Sequence, residues 1–401
     1  MRGVTKLVPL LLLIAAPAAF AQDITARFYP EKQEYVIGEP ILVILEIRNN
    51  TSGAIEAGED GCDWMHPDQF QVTNAPRVHE IGLFGCAPFG GIAGDCLSGA
   101  QKIPARGILQ KRFLLNARNS AQFDLSLPGT YHLTARRTVT IYGKGGFRDV
   151  IENIPAENEF DITVREPEPG ELQGLYQRFV KELSSHDYQA KWLAAEALTQ
   201  NPPRFLEPVI LALAGSSDLS QRFQSIQGLK HLATPAARAK LMEMASGPNE
   251  GLAQRAIPAL GEIANPDDCS AMLKIAARWR QYTEEQAYMA AGRICGGKAI
   301  PILIGALRRA DKDLAQGLAI ALGNTASRDA IPPLIGLLGS PDEWVRRDAE
   351  GALFTLTHRS MQDVSTPAAA AQVAYGWRGW WFLNASSAQI YSPDQCPSAG
   401  N

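Results

Sequence analysis

Asp311-Lys312-Asp313-Leu314-Ala315-Gln316-Gly317-Leu318-Ala319-Ile320-Ala321-Leu322 is one unit of a repeat, and its period organises the second half of the chain. Leu322 belongs to the series Leu198, Leu229, Leu260, Ala291, Leu322 and Leu353, each 31 residues after the last. One residue earlier stand Ala197, Gly228, Ala259, Ala290, Ala321 and Ala352, and three before those Ala194, Ser225, Ala256, Ala287, Leu318 and Ala349. These positions fall at i, i+3 and i+4 on one helix face, and most are small enough for a neighbouring helix to come close. A second apolar series keeps the same step: Phe179, Ile210, Leu241, Met272, Leu303 and Leu334. It marks a first helix that pairs with each small-residue helix. Between the two stand Asp187, Asp218, Asn249, Arg280, Asp311 and Asp342. Asp and Asn there accept hydrogen bonds from free amides of the first turn. Arg280 cannot, so the fourth turn is expected to be built differently.

A two-helix unit cannot bury its apolar face alone, and stacking such units makes one continuous core. The step length and Ala-rich second helix resemble short HEAT-like repeats, a kind also found in phycobilisome lyases. The resemblance implies an armadillo-like α-α superhelix of six units over residues 171–360, with the second helices lining its concave side. It does not imply lyase activity, since a chromophore lyase would be cytoplasmic and this chain is expected to be exported. Residues 361–401 are read as a cap and tail. Ala374-Tyr375-Gly376-Trp377-Arg378-Gly379-Trp380-Trp381 is similar to a pattern that follows the last repeat in some exported HEAT-repeat proteins. These Trp residues are expected to close the end of the core, the alternative being an aromatic site for sugar or peptide. The tail from about Ser386 is expected to be poorly ordered.

Before the repeat the period is two. Arg27-Phe28-Tyr29, Glu34-Tyr35-Val36-Ile37 and Ile41 to Ile47 predict strands, as do Phe123/Leu125/Leu127, Tyr131/Leu133/Ala135, Val139 to Tyr142 and Phe160 to Val164. Gly38-Glu39-Pro40 before a strand ending in Arg48-Asn49-Asn50, and Leu127-Pro128-Gly129-Thr130-Tyr131-His132-Leu133, resemble immunoglobulin-like domains of bacterial exported proteins. The resemblance implies an Ig-like β-sandwich over residues 22–166, making the chain a multidomain β-plus-α protein. Residues 56–104, with Cys62, Cys86, Cys96 and Phe89-Gly90-Gly91-Ile92-Ala93-Gly94, interrupt the pattern as a Cys/Gly-rich insertion. Its glycines do not match a nucleotide-binding spacing. Glu56, Glu59, Asp60, Asp63, Asp68 and His66 offer oxygen ligands for calcium, but without EF-hand spacing they predict a solvated loop. Arg165-Glu166-Pro167-Glu168-Pro169-Gly170-Glu171 predicts the domain boundary.

Arg2 and Lys6, an apolar run from Leu7 to Phe20 and the small residues Ala19 and Ala21 predict a signal peptide over 1–21 and export to the periplasm or beyond. No later stretch is expected to span a bilayer. The net charge of −4 gives no reason to expect nucleic acid. Six Cys in an exported chain favour disulfides. Cys269 opens a first helix and Cys295 ends the second helix of the same hairpin, so these two are predicted to bond. The pairing among Cys62, Cys86, Cys96 and Cys396 stays open.

Candidate partner-binding residues stand two before the small core position: Trp192, Phe223, Gln254, Glu285, Gln316 and Arg347. Most are polar, as a solvated face requires. Trp192 and Phe223 are adjacent in the stack and form either an apolar patch for a partner or a surface covered by the β domain or a first helix. The six His are scattered and match no catalytic motif. No catalytic residue, metal or cofactor is predicted. The expectation is a non-catalytic scaffold of the cell envelope that binds protein or peptide. The alternatives are an enzyme with its site at the interdomain seam or in loop 83–100, and a self-associating envelope component.

Overall fold

The computed structural model describes residues 23–59, 70–75, 77–78, 100–115, 122–143, 149–361 and 363–395. Residues 1–22, over which a signal peptide is expected, most of the acidic loop, residues 83–99 of loop 83–100 and Cys62, Cys86, Cys96 and Cys396 lie outside them.

The N-terminal region is built from β-sheets. Strands β1 (Ile24–Pro30), β3 (Leu42–Asn49) and β8 (Ile108–Leu114) form an antiparallel sheet in the order β1-β3-β8. A larger sheet runs β2 (Glu34–Val36), β11 (Val150–Arg165), β10 (Gly129–Tyr142), β4 (Ile55–Glu59) and β7 (Gln101–Ile103), with β5 (Phe70–Val72) also on β10. Strands β6 (Arg77–Val78) and β9 (Gln122–Phe123) pair separately. β2 runs parallel to β11; the other pairings are antiparallel. Alternate residues of β10 point inward, and Leu133, Ala135 and Val139 share one core with Phe28, Val43 and Leu45 of the smaller sheet. The alternation at Phe123, Leu125 and Leu127 does not extend a strand. β9 stops at Phe123, because Asp124 turns back to accept from Ser126 N at 3.0 Å and Leu127 is left exposed.

The boundary at 165–171 is a fastened joint rather than a loose linker. Arg165 bonds Glu34 on β2 at 2.8 Å and Glu171 in the first turn of α1 (Glu171–Glu182). Tyr176 Oη donates to Gly38 O at 2.9 Å. Leu42 and Leu114, paired across β3 and β8, turn away from the β core and join Tyr176 and Phe179 in the helical core.

The helices then come in pairs: α1 with α2 (Tyr188–Thr199), α3 (Glu207–Ala214) with α4 (Leu219–Leu232), and α5 (Pro235–Ser246) with α6 (Glu250–Ile263). Next are α7 (Cys269–Arg278) with α8 (Gln281–Cys295), α9 (Ile300–Leu307) with α10 (Lys312–Gly323), and α11 (Ile331–Leu337) with α12 (Glu343–Thr357). The Asp and Asn caps form as expected, for example Asp311 Oδ1 accepting from Leu314 N at 2.9 Å. Arg280 makes no side-chain cap. There Trp279 donates from Nε1 to Ala245 O at 3.0 Å, and Thr283 bonds Glu250 at 2.7 Å, so the turn is tied to the preceding hairpin instead.

Consecutive second helices touch along the whole stack, whereas consecutive first helices meet only marginally. The stack therefore curves toward its second helices. Small residues make the approach possible: a Cβ on Gly292 would stand 2.2 Å from Ala321 O, and one on Gly323 would stand 2.9 Å from the Ala352 side chain. Cys269 and Cys295 are disulfide-bonded, with Cα atoms 4.9 Å apart. The run Gln281–Leu307 is long and apolar enough, by length and composition, to cross a membrane. Here it is folded as α8, a turn and α9, with half of its most apolar window inside the stack.

The last repeat changes chemistry to hold a cap. Glu350 stands where Ile257 and Tyr288 stand in earlier repeats. It accepts from Met361 N at 2.7 Å and from Trp377 Nε1 at 2.7 Å. Arg346, also buried, donates to the carbonyls of Ser340, Pro341, Val364 and Ser365. These bonds fix α13 (Pro367–Asn384), whose Trp377 is fully buried against the stack. Residues 385–395 depart from the loose tail that was expected. They run back over the last three repeats: Arg328 donates to Ala385 O at 2.8 Å, Tyr391 stacks on His358 at 3.6 Å, and Asp394 pairs with Arg293 on α8.

Candidate partner-binding face

The second helices carry the predicted stripe on the curved-in side. Trp192 on α2 is 42% exposed, with Tyr188 beside it at 6.3 Å between ring centroids. Phe223 on α4 is half-buried against the core, and the Arg255 guanidinium sits over its ring at 4.8 Å. Trp192 and Phe223 thus behave differently: the first is open, the second already has a cation on it. Gln254 donates to Thr283 at 3.2 Å, so its amide helps to join α6 to α8. Gln316 is half-buried on α10. Arg347 on α12 is exposed, pairs with Glu343 at 2.7 Å and lies over Trp344 at 5.1 Å.

Glu285 is the most perturbed member. Its side chain lies over Gly317 of the next second helix. Burial, then Asp313, Asp348 and Asp311, push its carboxyl up to about 7. Asp348 is pushed up to about 6 by burial and then by Asp342. Crowded carboxylates raise one another's pKa because each negative charge disfavours the next. Repeats four to six thus present excess acid on the inner side.

Single-position reading missed four contributors. Tyr188, Tyr282 and Trp344 are exposed aromatics near the starts of α2, α8 and α12. Asp348 adds to the acidic group. The signal was present in the neighbouring register positions, since Tyr282, Asp313 and Trp344 are three residues before Glu285, Gln316 and Arg347. Among the described residues no group of His, Cys, Asp and Glu could hold a metal ion.

The family model for HEAT repeats matches residues 270–354 and 300–371. That match falls on the last three hairpins and the start of α13. The first three share their step and capping chemistry, and the six hairpins stack as one superhelix. No curated protein matches the chain. Among solved structures, an engineered protein is 20% identical with a TM-score of 0.33, covering 45% of this chain and 95% of its own. A designed armadillo repeat protein in complex with the peptide (KR)4 is 18% identical with a TM-score of 0.31, covering 47% of this chain and 94% of its own. At that level neither likeness bears on function.

Proposed function

We propose that this protein is a non-catalytic scaffold that binds a segment of another protein, or a peptide, along the inner face of its HEAT-repeat superhelix. The observation that carries the reading is an asymmetry of closure. Both ends of the stack are covered by the protein's own chain, while the side lined by second helices leaves Tyr188, Trp192, Tyr282 and Trp344 open. Exposed aromatics, here on repeats one, four and six, supply contact area at low entropic cost, and such residues dominate binding energy. The acids around Glu285 favour a partner with cationic side chains among its apolar ones.

The β region is read as an immunoglobulin-like sandwich. Two sheets share its core, and Tyr131 Oη donates to Leu127 O at 2.8 Å, a bond of the tyrosine-corner kind found in such domains. Export to the periplasm or beyond is supported by the charged and apolar first residues and by the Cys269–Cys295 bond, which persists in oxidising compartments.

The test is selection of peptides on the full chain from a random displayed library. Enriched peptides should lose about tenfold or more in affinity to Trp192→Ala or Trp344→Ala, the loss expected of an aromatic anchor. Enriched peptides that bind both variants as tightly as the parent would reject the inner face.

A further inference from the structure

A terminal unit of a stacked-repeat protein normally turns a polar face to water. α13 does not. It carries one charged residue, Arg378, in its whole length. Its inner side holds Ala370, Val373, Ala374 and Trp377 against the stack. Its outer side leaves Tyr375 78%, Phe382 86% and Leu383 77% exposed. Tyr375 and Phe382 are two turns apart on one stripe, and Leu383 lies at its edge. The three side chains expose on the order of 500 Å², which is as large as the biggest patch on an ordinary monomer.

The stripe is also complementary to itself. Around Tyr375, large residues on one side mirror small ones on the other: Phe382 is seven after and Ala368 seven before, and Leu383 and Pro367 lie one further out. Gly379 and Ala371 are four to either side, and Arg378 and Gln372, both exposed, are three to either side. Two copies of α13 laid antiparallel about a twofold at Tyr375 therefore set Phe382 on Ala368 and Arg378 beside Gln372. No cation faces its own copy. Each copy would bring roughly 500 Å², so the pair buries about 1,000 Å², the lower bound for a specific interface.

We infer that the outer face of α13 is an isologous dimer interface, occupied by α13 of a second copy of this chain, so that two superhelices join at their C-terminal ends. This surface is separate from the inner face proposed for partner binding, and either can fail without the other.

Sedimentation equilibrium on the full chain tests it. The parent should dimerise reversibly. Ala368→Glu and Phe382→Lys should each weaken self-association by about thirtyfold, with unchanged circular dichroism because both sites are exposed. Mixing the two variants should restore a heterodimer, seen by native mass spectrometry, because the introduced acid of one chain faces the introduced ammonium of the other. A parent that stays monomeric at every concentration overturns the inference, as does a dimer indifferent to both substitutions. So does a monomer that binds phosphatidylglycerol vesicles and loses that binding in Phe382→Lys, which would give the face to lipid.

Discussion

The two ends of the superhelix are closed by opposite means. At the first end a preformed sheet lends its back: Leu42 and Leu114 are apolar on a strand pair whose other side already fills the β core. The seam is finished by bonds between partners on its two sides, such as Gln200 Nε2 to Leu115 O at 3.2 Å. At the far end the stack leans on one helix, α13. A single helix is held by converting two positions of the last repeat, Arg346 and Glu350, into buried polar anchors. An apolar seam loses stability in proportion to the area removed. A buried polar anchor fails more abruptly, because the partner left behind has no water to turn to.

Trp377→Ala should break the far end with the largest loss, about 4 kcal/mol or more, from an emptied core site and an orphaned Glu350 oxygen. Urea unfolding followed by tryptophan fluorescence will read it, and a loss under about 1 kcal/mol would mean that α13 is not an integral cap. Leu114→Ala at the near end should cost about 3 kcal/mol. It should also leave the unfolding of the last repeats, followed by hydrogen exchange, unchanged. Cys269→Ala/Cys295→Ala removes a link in the middle of the stack and should cost about 2–3 kcal/mol. If the ends are independent, this loss adds to either end variant within about 0.5 kcal/mol.

The smallest effect concerns the open face between the ends. Glu285 has a folded pKa raised from 4.5 to about 7. Its contribution to stability is therefore full below about 4.5 and is lost as pH climbs through about 7. Glu285→Gln should flatten that decline and gain on the order of 1 kcal/mol at high pH. Melting temperatures of the two proteins across that range decide it.

The helical half was legible because its rule is local and repeated. A small residue every 31 positions, an Asp or Asn at each turn and one exception at Arg280 suffice to place the hairpins and the Cys269–Cys295 bond. The β half was legible in strands but not in pairing. Ile108–Leu114 alternates poorly in sequence because Leu114 faces the helices while neighbouring residues of the sheet face the β core. The stripe at Trp192 to Arg347 could be placed on the inner side. Which of its members stay open could not, since that depends on a neighbour such as Arg255 reaching Phe223 from the next helix. The tail escaped notice for the same reason: Arg293 and Asp394 are 101 residues apart and carry no shared pattern.

That clasp alters how the molecule comes apart. A stacked-repeat chain with only nearest-neighbour contacts melts like a one-dimensional row of dominoes, fraying from whichever end is weaker. Fastening Asp394 to Arg293 makes the row bite its own tail over repeats four to six, so fraying from the α13 end must also break a contact with a repeat two units away.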